Sequence, residues 1–519
     1  MLSTGEPRAR RYVVKVPPDA RTTDKLDREV YLVAGVVIVG VIMSVLDMTI
    51  VNVALETLSR ELHSGLDTIQ WVATAYLLAV AVVIPLTGWA TERWGSKRVW
   101  MTCVFLFGVG SALCGLAWSA ESLIFFRVLQ GIGGGMIMPV GMSVMAQTAG
   151  PKRIGRVMSV VGVPMLLGPI LGPVLGGLIV DNASWRWIFY VNVPIALLAL
   201  GLARRFLHAD HGRADAGRLD WRGLLLLSPG LGLIVFGLSE SESHGGFSHP
   251  IVFGPVLVGL VLTASFVVHA LHAARPLIDV TLFRKPAFAA AAATTTLLGG
   301  ALFGAMIILP LYYQVDRGEP ALTAGLLMAP QGLGAAMVMP IAGRLTDRLG
   351  GGRVAVVGLL VLTLATVPYA FISADTPYGL LAGLLVIRGM GLGSTMMPTM
   401  AAAYAVLTPA QIPRATSALN VTRQIGGSLG TAILAVLLQH EIRVQLGAAP
   451  GGGELRRLPE DVRARVAGPL ADAFAHTFAW AVVISAVALI PAVALVIANR
   501  RAGVEDEPVA EEPATRLAA

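Results

Sequence analysis

Fourteen apolar segments, separated by short polar stretches, dominate the hydropathy pattern of this 519-residue chain. Each segment is close to the roughly 20 residues that a helix needs to cross the hydrocarbon core of a bilayer. In chain order they span residues 31–53, 68–90, 99–118, 122–147, 155–180, 187–207, 220–238, 250–273, 286–312, 321–345, 353–373, 376–404, 414–440 and 474–498. The pattern predicts an all-α polytopic membrane protein with fourteen transmembrane helices.

The composition agrees with this prediction and argues against a metal site. The chain is 55% hydrophobic and 14% charged, whereas soluble domains carry about 25% charged residues. Its two cysteines, Cys103 and Cys114, would lie about 16 Å apart along one predicted helix, which is too far for a disulfide. No spacing of Cys and His residues is typical of a metal site, so we expect neither a metal nor a cofactor.

The basic charge balance follows the predicted membrane topology. The chain has 39 Lys and Arg residues against 32 Asp and Glu residues, and most of the basic residues fall in alternate loops. The positive-inside rule then places both termini in the cytoplasm of a cell whose membrane the chain spans many times. The polar N-terminal stretch contains no short apolar core of a cleavable signal peptide. We therefore expect the lipid bilayer, and no nucleic acid, as the partner of this basic chain.

One charged motif occurs twice, at residues 85–99 and 340–354, and seven of its fifteen aligned positions are identical. Each copy ends one apolar segment and opens the next. The repeat predicts a charged turn between two helices in each half of the chain, which is typical of transporters built from two related bundles. The residues that it singles out are Gly88, Glu92, Arg93, Gly95, Gly343, Asp347, Arg348 and Gly350.

The repeat also fixes the predicted domain organisation. Segments 10 and 11 match segments 2 and 3, so two six-helix bundles flank an inserted hairpin made of segments 7 and 8. The predicted divisions are a cytoplasmic tail at 1–30, a first bundle at 31–207, a linker and hairpin at 208–285, a second bundle at 286–498 with an external loop at 441–473, and a cytoplasmic tail at 499–519.

Asp47 is the only carboxylate placed well inside a predicted helix. An ionisable residue at such a depth is a functional-site hypothesis by default, because burying its charge in a membrane is costly. Helical rise places Asp47 and Arg127 at similar depths. With Asn52 and Gln130 they form the candidate proton-coupling and substrate site. The alternative interpretation of Asp47 is a structural ion pair with Arg127.

A second strong signal is a glycine-proline pattern in segment 5. Glycines spaced four residues apart leave one face of a helix bare, and this face permits close helix packing. The prolines remove backbone donors and bend the helix. The alternative to a functional motif is generic close packing of two helices. The pattern consists of Gly168, Pro169, Gly172, Pro173, Gly176 and Gly177.

Two further arginines, Arg388 and Arg423, lie inside apolar segments 12 and 13. The guanidinium of an arginine can hold a carboxylate or a carbonyl group through its rigid fork of donors. We therefore treat both residues as possible cations of a substrate cavity. With Arg127, three buried guanidiniums would face one buried carboxylate, and the sequence does not identify the partners that would balance them.

The repeated Gly-x-x-x-[Glu/Asp]-Arg-x-Gly motif, the arginine that begins segment 4 and the glycine-proline pattern resemble those of the major facilitator superfamily. The stretch 185–194, Trp-Arg-Trp-Ile-Phe-Tyr-Val-Asn-Val-Pro, and the fourteen segments resemble its 14-helix drug:proton antiporter branch. Two positions depart from the family pattern: Glu56 stands where a proline is usual, and Glu92 stands where an aspartate is usual. Neither departure removes a charge.

The resemblance implies a proton-coupling role for Asp47, a proton relay or cavity-gating role for Arg127, and cytoplasmic gating by Glu92, Arg93 and Asp347. It implies antiport of protons against small amphipathic organic compounds by a protein that we expect to be monomeric. A lipid or metabolite exporter and a proton-coupled uptake symporter remain alternatives, because one fold hosts all of these functions. No nucleotide-binding loop or nucleophile-base pair suggests an enzyme. Whether a periplasmic adaptor binds is unknown from the sequence.

Overall fold

A computed structural model of the chain describes residues 28–149, 153–208, 212, 217–243, 247, 249–408, 410–446 and 460–503. Several predicted regions lie wholly or partly outside these described residues: the first tail (1–27), the part of the linker with Arg213, the part of the external loop at 447–459, and the last tail (504–519). The described residues form helices and turns and contain no strand.

The helices have the following bounds. In chain order they are α1 (Arg28–Glu61), α2 (Leu66–Val83), α3 (Leu86–Trp94), α4 (Ser96–Gly115), α5 (Ala120–Ala149), α6 (Ile154–Asn182), α7 (Trp187–Tyr190), α8 (Asn192–Phe206), α9 (Trp221–Ser243), α10 (Pro250–His272), α11 (Pro286–Leu311), α12 (Ala321–Leu349), α13 (Gly351–Thr366), α14 (Tyr378–Ala405), α15 (Ile412–Leu446) and α16 (Glu460–Arg501). Short 3₁₀ turns lie at Val280–Arg284 and Val367–Phe371, and a π-helical turn lies at Tyr312–Asp316.

The described helices confirm a multi-span architecture but not the exact number of spans. Twelve of them are long and apolar enough to cross a membrane, and the bent pair α2 and α3 can count as a thirteenth span. The predicted segment 155–180 corresponds to the 29-residue helix α6, which is not among these spans. The count of fourteen therefore stays a prediction.

The same helix pairings occur before and after the hairpin. In the N-terminal half (α1–α8), α1 packs on α6, and α5 packs on both α2 and α4. In the C-terminal half (α11–α16), α11 packs on α15, and α14 packs on both α12 and α13. Helices α9 and α10 pair with each other, and α9 also contacts α2 and α15. This repetition is what a duplicated bundle would give, although the domain boundaries themselves stay predictions.

The charged motif ends a helix in each half and is not a loop. Glu92 and Arg93 lie in the last turn of α3, and Asp347 and Arg348 lie in the last turn of α12. The chain reverses only at Gly95 and Gly350, whose φ angles are 84° and 86°. Glycine suits these positions because other residues rarely adopt positive φ. The predicted charged turns are therefore corrected to helix C-termini followed by a single glycine.

Segment 2, predicted as one apolar span, consists of two helices. Helices α2 and α3 meet at a bend of 58°, beside Pro85, which has no N–H to donate. The carbonyl oxygen of Ile84 at this bend accepts a hydrogen bond of 2.9 Å from the Ser417 hydroxyl on α15. A side chain of the C-terminal half thus satisfies a backbone group at the bend in the N-terminal half.

Candidate functional site

The centre of the N-terminal half contains a fully buried ion pair. Asp47 lies on α1 and Arg127 on α5, and Arg127 Nη1 lies 2.6 Å from Asp47 Oδ2. The two side chains are 0% and 1% exposed. The structure thus brings together the two residues whose depths match in the sequence.

Two amides complete the coordination of the Asp47 carboxylate. Asp47 Oδ1 accepts hydrogen bonds of 2.8 Å from Gln130 Nε2 and of 2.8 Å from Asn192 Nδ2. Both amides also donate to Ser111 Oγ, at 3.1 and 3.0 Å. The carboxylate therefore accepts from three donors on two helices, α5 and α8, and a buried charge requires such compensation.

Arg127 is held on its other side by the backbone and by aromatic rings. Its Nε donates to the carbonyl oxygen of Val72 at 3.0 Å, and its Nη1 also donates to Gln130 Oε1 at 2.7 Å. Its guanidinium carbon lies 4.1 Å from the ring centroid of Tyr76, a cation–π distance. The arginine therefore has one well-defined position, from which it can leave only by breaking several contacts.

The glycine face of α6 packs directly against the part of α1 that carries Asp47. A Cβ atom added to Gly168 would lie 2.2 Å from Val45 Cγ1, and one added to Gly172 would lie 1.9 Å from Thr49 Oγ1. The Thr49 hydroxyl also donates to the Gly168 carbonyl at 3.4 Å. Val45 and Thr49 lie two residues before and after Asp47, so the close contact between α1 and α6 is within one helical turn of the carboxylate.

The rest of this motif behaves differently. Gly176 is buried, whereas a Cβ atom on Gly177 would meet nothing within 4 Å. The side chains of Pro169, Pro173 and Asn52 lie outside the described part of the chain.

The repeated carboxylates join the two halves of the protein. Glu92 accepts two hydrogen bonds from Arg414 on α15, from Nε at 2.7 Å and from Nη2 at 2.8 Å. Conversely, Asp347 of the C-terminal half accepts hydrogen bonds from the N-terminal half. The donors are Arg156 Nε at 2.7 Å and the backbone N–H of Gly155 at 2.9 Å, both in the first turn of α6. Each half thus supplies one carboxylate and one arginine to the same end of the molecule, which we call the Glu92–Asp347 end.

The remaining residues of the charged motif support these contacts or face outward. A Cβ atom on Gly88 would lie 3.1 Å from Arg414 Cα, so glycine permits the close approach of α15. Gly343 is buried, and Arg93 and Arg348 are exposed. The sequence analysis identified the carboxylates but missed their partners, Arg156 and Arg414. Both begin an Arg-x-x-Ser pattern in the first turn of a helix, a signal that a longer repeat search would detect.

The two possible cavity cations each donate to a side-chain amide oxygen. Arg388 on α14 donates to Gln331 Oε1, and its Nε donates to Thr366 Oγ1 at 3.3 Å. Arg423 on α15 donates to Asn420 Oδ1 at 2.8 Å and reaches Met138 Sδ on α5 at 3.3 Å. Arg423 therefore lies where the two halves meet, whereas Arg388 is enclosed within the C-terminal half.

The structure buries a second carboxylate, Asp316, outside the apolar segments predicted from the sequence. The span predicted at 286–312 continues as the π-helical turn to Asp316, and Asp316 is 5% exposed. The hydropathy pattern predicts a loop at this residue because the apolar run ends at Tyr312. Sequence analysis also assigned no role to Asn192 and Ser111. Among the described residues, no group of three His, Cys, Asp or Glu side chains is placed to hold a metal ion.

Comparison with known proteins places the chain in a family. Residues 37–431 match the family model described as Major Facilitator Superfamily. The chain is 42% identical over 421 residues to the multidrug resistance protein B homolog of Mycobacterium tuberculosis, covering 80% of this chain and 78% of that protein. It is 32% identical over 392 residues to the multidrug export protein EmrB of Escherichia coli, covering 75% and 77%.

Two solved structures share the fold at low sequence identity. The human organic anion transporter MFSD10 has a TM-score of 0.59 at 16% identity, covering 91% of this chain and 100% of that chain. The proton:xylose symporter XylE has a TM-score of 0.58 at 14% identity, covering 88% and 94%. Together with the apolar helices and the duplicated charged motif, these matches show that the chain is a multi-pass membrane protein of the major facilitator superfamily.

Proposed function

We propose that the protein exports amphipathic organic compounds, such as drugs, antibiotics or toxic metabolites, in exchange for protons. The observation that carries this proposal is the buried Asp47 carboxylate, which is paired with Arg127 and accepts hydrogen bonds from Gln130 and Asn192. The relatives named as a multidrug resistance protein homolog and a multidrug export protein support the substrate class.

In the proposed cycle, proton binding at Asp47 competes with the Arg127 ion pair. A neutral carboxyl group attracts a guanidinium far less than a carboxylate does. Protonation would therefore free Arg127 from one of its contacts and weaken the link between α1 and α5. A proton gradient could thereby shift the populations of two conformations, provided that each conformation binds the proton with a different affinity.

The proposed orientation places the Glu92–Asp347 end in the cytoplasm, with both termini on the same side. The pairs Glu92–Arg414 and Asp347–Arg156 would then close the cytoplasmic entrance of the conformation described here. Helices α1, α5, α11 and α14 would line the substrate path, and the protein would act as a monomer. The site needs no cofactor for this exchange.

Neutralising either gating carboxylate should slow turnover. In Glu92→Gln and Asp347→Asn, the closed entrance loses a charge-assisted contact between the halves, so we expect turnover to fall about threefold to tenfold while substrate affinity changes little. Substrate binding and initial efflux rates in vesicles measure the two effects. Glu61→Gln, which removes an exposed carboxylate at the opposite end, serves as a control. A collapse of binding with unchanged turnover per bound substrate would place these residues in the substrate site instead.

The charge inventory predicts a preference against divalent cations. A doubly charged substrate needs negative charge in a cavity of low dielectric, whereas Arg388 and Arg423 supply positive charge. We expect a monovalent quaternary dye to be exported about tenfold faster than a divalent dye of similar size. Efflux of the two dyes from the same cells provides the comparison. Strong, Asp47-dependent export of the divalent dye would contradict the prediction.

A drug-susceptibility panel tests the proposed function. Cells that express the protein should tolerate higher concentrations of several unrelated amphipathic compounds than cells that express Asp47→Asn at the same level. Resistance to none of the compounds, with accumulation of a lipid or metabolite outside the cell, would favour the metabolite exporter. Increased sensitivity through uptake would favour the symporter.

A further inference from the structure

The C-terminal half contains a buried carboxylate that the proposed mechanism does not use. Asp316 ends the π-helical turn that follows α11, and it is 5% exposed. Neither of its carboxylate oxygens has a hydrogen-bond partner among the described residues. π-helical turns inside helical spans are rare and occur often at functional sites.

The neighbouring arginine makes its hydrogen bonds to other groups. Arg317 Nη1 lies 3.0 Å from the carbonyl oxygen of Thr376 and 3.4 Å from the Tyr312 hydroxyl, to which it donates. Its guanidinium carbon lies 4.5 Å from the ring centroid of Tyr378. The Arg317 guanidinium therefore contacts a backbone carbonyl and two tyrosines, and it does not form a hydrogen bond with Asp316.

The π-helical turn that ends at Asp316 begins with two tyrosines and packs on α16. Tyr312 and Tyr313 are fully buried beside it in the chain, with ring centroids 5.4 Å apart, and Phe474 on α16 packs on Tyr312 at 5.7 Å. The charged groups that act on Asp316 through space are Arg317 and Asp375. On α16, the ionisable residues two positions before and after Phe474, Asp472 and His476, are exposed.

The internal repeat shows that this burial is specific to one half. Helices α2 and α12 begin at Leu66 and Ala321, 255 residues apart, which is also the interval between the two copies of the charged motif. The same interval relates Asp316 to Glu61, the last residue of α1. Glu61 is exposed, so the ordinary position of a carboxylate at this helix end is in solvent. The C-terminal half has instead enclosed its carboxylate.

An ionised carboxylate without donors is far more costly to bury than a neutral carboxyl group. We propose that Asp316 is a second proton-binding residue of this transporter, protonated in the conformation described here. The side chain lies at the end of the bundle opposite Glu92 and Asp347, because α12 runs from the turn after Asp316 to Gly350. In the proposed orientation this is the external end, from which an antiporter takes up its protons. The role in transport rests on the proposed function, whereas protonation of Asp316 does not.

Infrared difference spectroscopy on the purified full-length protein in lipid tests the protonation directly. A protonated carboxyl group gives a C=O stretching band that a carboxylate lacks. We expect a band that disappears in alkaline buffer, is absent from Asp316→Asn, and persists in Asp47→Asn and in the exposed control Glu61→Gln. In Asp316→Glu, which keeps a carboxyl group, the band should shift in position. This second variant tests the assignment even if Asp316→Asn does not fold. An unchanged band in folded Asp316→Asn would overturn the proposal.

Transport then tests the coupling role. We expect Asp316→Asn to bind substrate as the wild type does but to move fewer protons per substrate exported. An equal proton-to-substrate ratio in the two proteins would overturn the coupling role of Asp316. A wild-type protein that exports substrate without moving protons would instead refute the proposed antiport, and the infrared band would still decide whether Asp316 holds a proton.

Discussion

Asp47→Asn should abolish proton-driven efflux. The substitution keeps the size of the side chain and one oxygen acceptor, but it removes the charge that Arg127 Nη1 contacts at 2.6 Å and the group that can exchange a proton. We expect accumulation of substrate in inside-out vesicles under an imposed proton gradient to fall by at least about tenfold. Binding of the substrate to the purified variant should remain measurable.

A double variant separates coupling from stability. Removing one partner of a buried ion pair costs about 3–5 kcal/mol, because the other charge stays buried without compensation. Asp47→Asn combined with Arg127→Gln leaves no unpaired charge at this position, so we expect it to recover much of the thermal stability that Asp47→Asn loses. It should not recover proton-driven efflux. Recovery of efflux in the double variant would show that Asp47 is a structural partner of Arg127.

Gly172→Leu should disrupt both folding stability and transport. A Cβ atom at this position would lie 1.9 Å from Thr49 Oγ1 and 2.6 Å from Thr49 Cβ, so α6 must move away from α1. Overpacking of this kind typically costs about 1–3 kcal/mol. Because Thr49 lies two residues from Asp47, the displacement also moves the carboxylate relative to its donors. We expect efflux to fall about tenfold or more, since small misplacements at a site can have effects of that size.

Gly177→Leu is the matched control for this prediction. It introduces the same side chain into the same motif, at a position where a Cβ atom meets nothing within 4 Å. We expect near-wild-type efflux and thermal stability. Equal losses in both variants would show that the motif responds to added bulk in general, and wild-type transport by Gly172→Leu would refute the packing argument.

The depth of Asp47 and Arg127 was accessible from the sequence because helical rise is constant. Counting residues from the ends of two apolar segments was enough to place both side chains at one level. The sequence did not indicate that Asn192 and Ser111 would join them. Asn192 on α8 donates to Asp47, and Ser111 on α4 accepts from Gln130 and Asn192. These contacts depend on how four helices pack, which no local pattern encodes.

The residues proposed to gate the cytoplasmic entrance, Glu92 and Asp347, show the same limit of sequence-based prediction. The repeat identified Glu92 and Asp347, because a duplicated sequence marks equivalent positions without any knowledge of how the helices pack. It did not show that each carboxylate binds an arginine of the other half, because that contact depends on the arrangement of the two halves. The helix ends also differ from the prediction, because charged residues led us to expect a turn between two helices. In the structure these residues lie in the last turns of α3 and α12, and a single glycine follows each helix where the chain reverses.

Asp316 was missed because the hydropathy pattern weighs side chains one at a time. A polar run begins after Tyr312 in the sequence, yet the chain stays helical through Asp316 and packs against α16. Phe474 of α16 packs on Tyr312 in the same turn. Burial here is a tertiary property, and only the structure reveals it.

Exchange of substrate for protons through Asp47 can be measured by recording both fluxes in the same vesicles. Inside-out vesicles with an acidic interior contain either the wild-type protein or Asp47→Asn, and proton release and substrate uptake are recorded together after substrate is added. We expect wild-type vesicles to release protons when substrate is added, while substrate accumulates inside them. Both signals should vanish in vesicles with Asp47→Asn and in wild-type vesicles after a protonophore is added. Substrate accumulation without proton release, or equal proton release by the variant, would contradict the account.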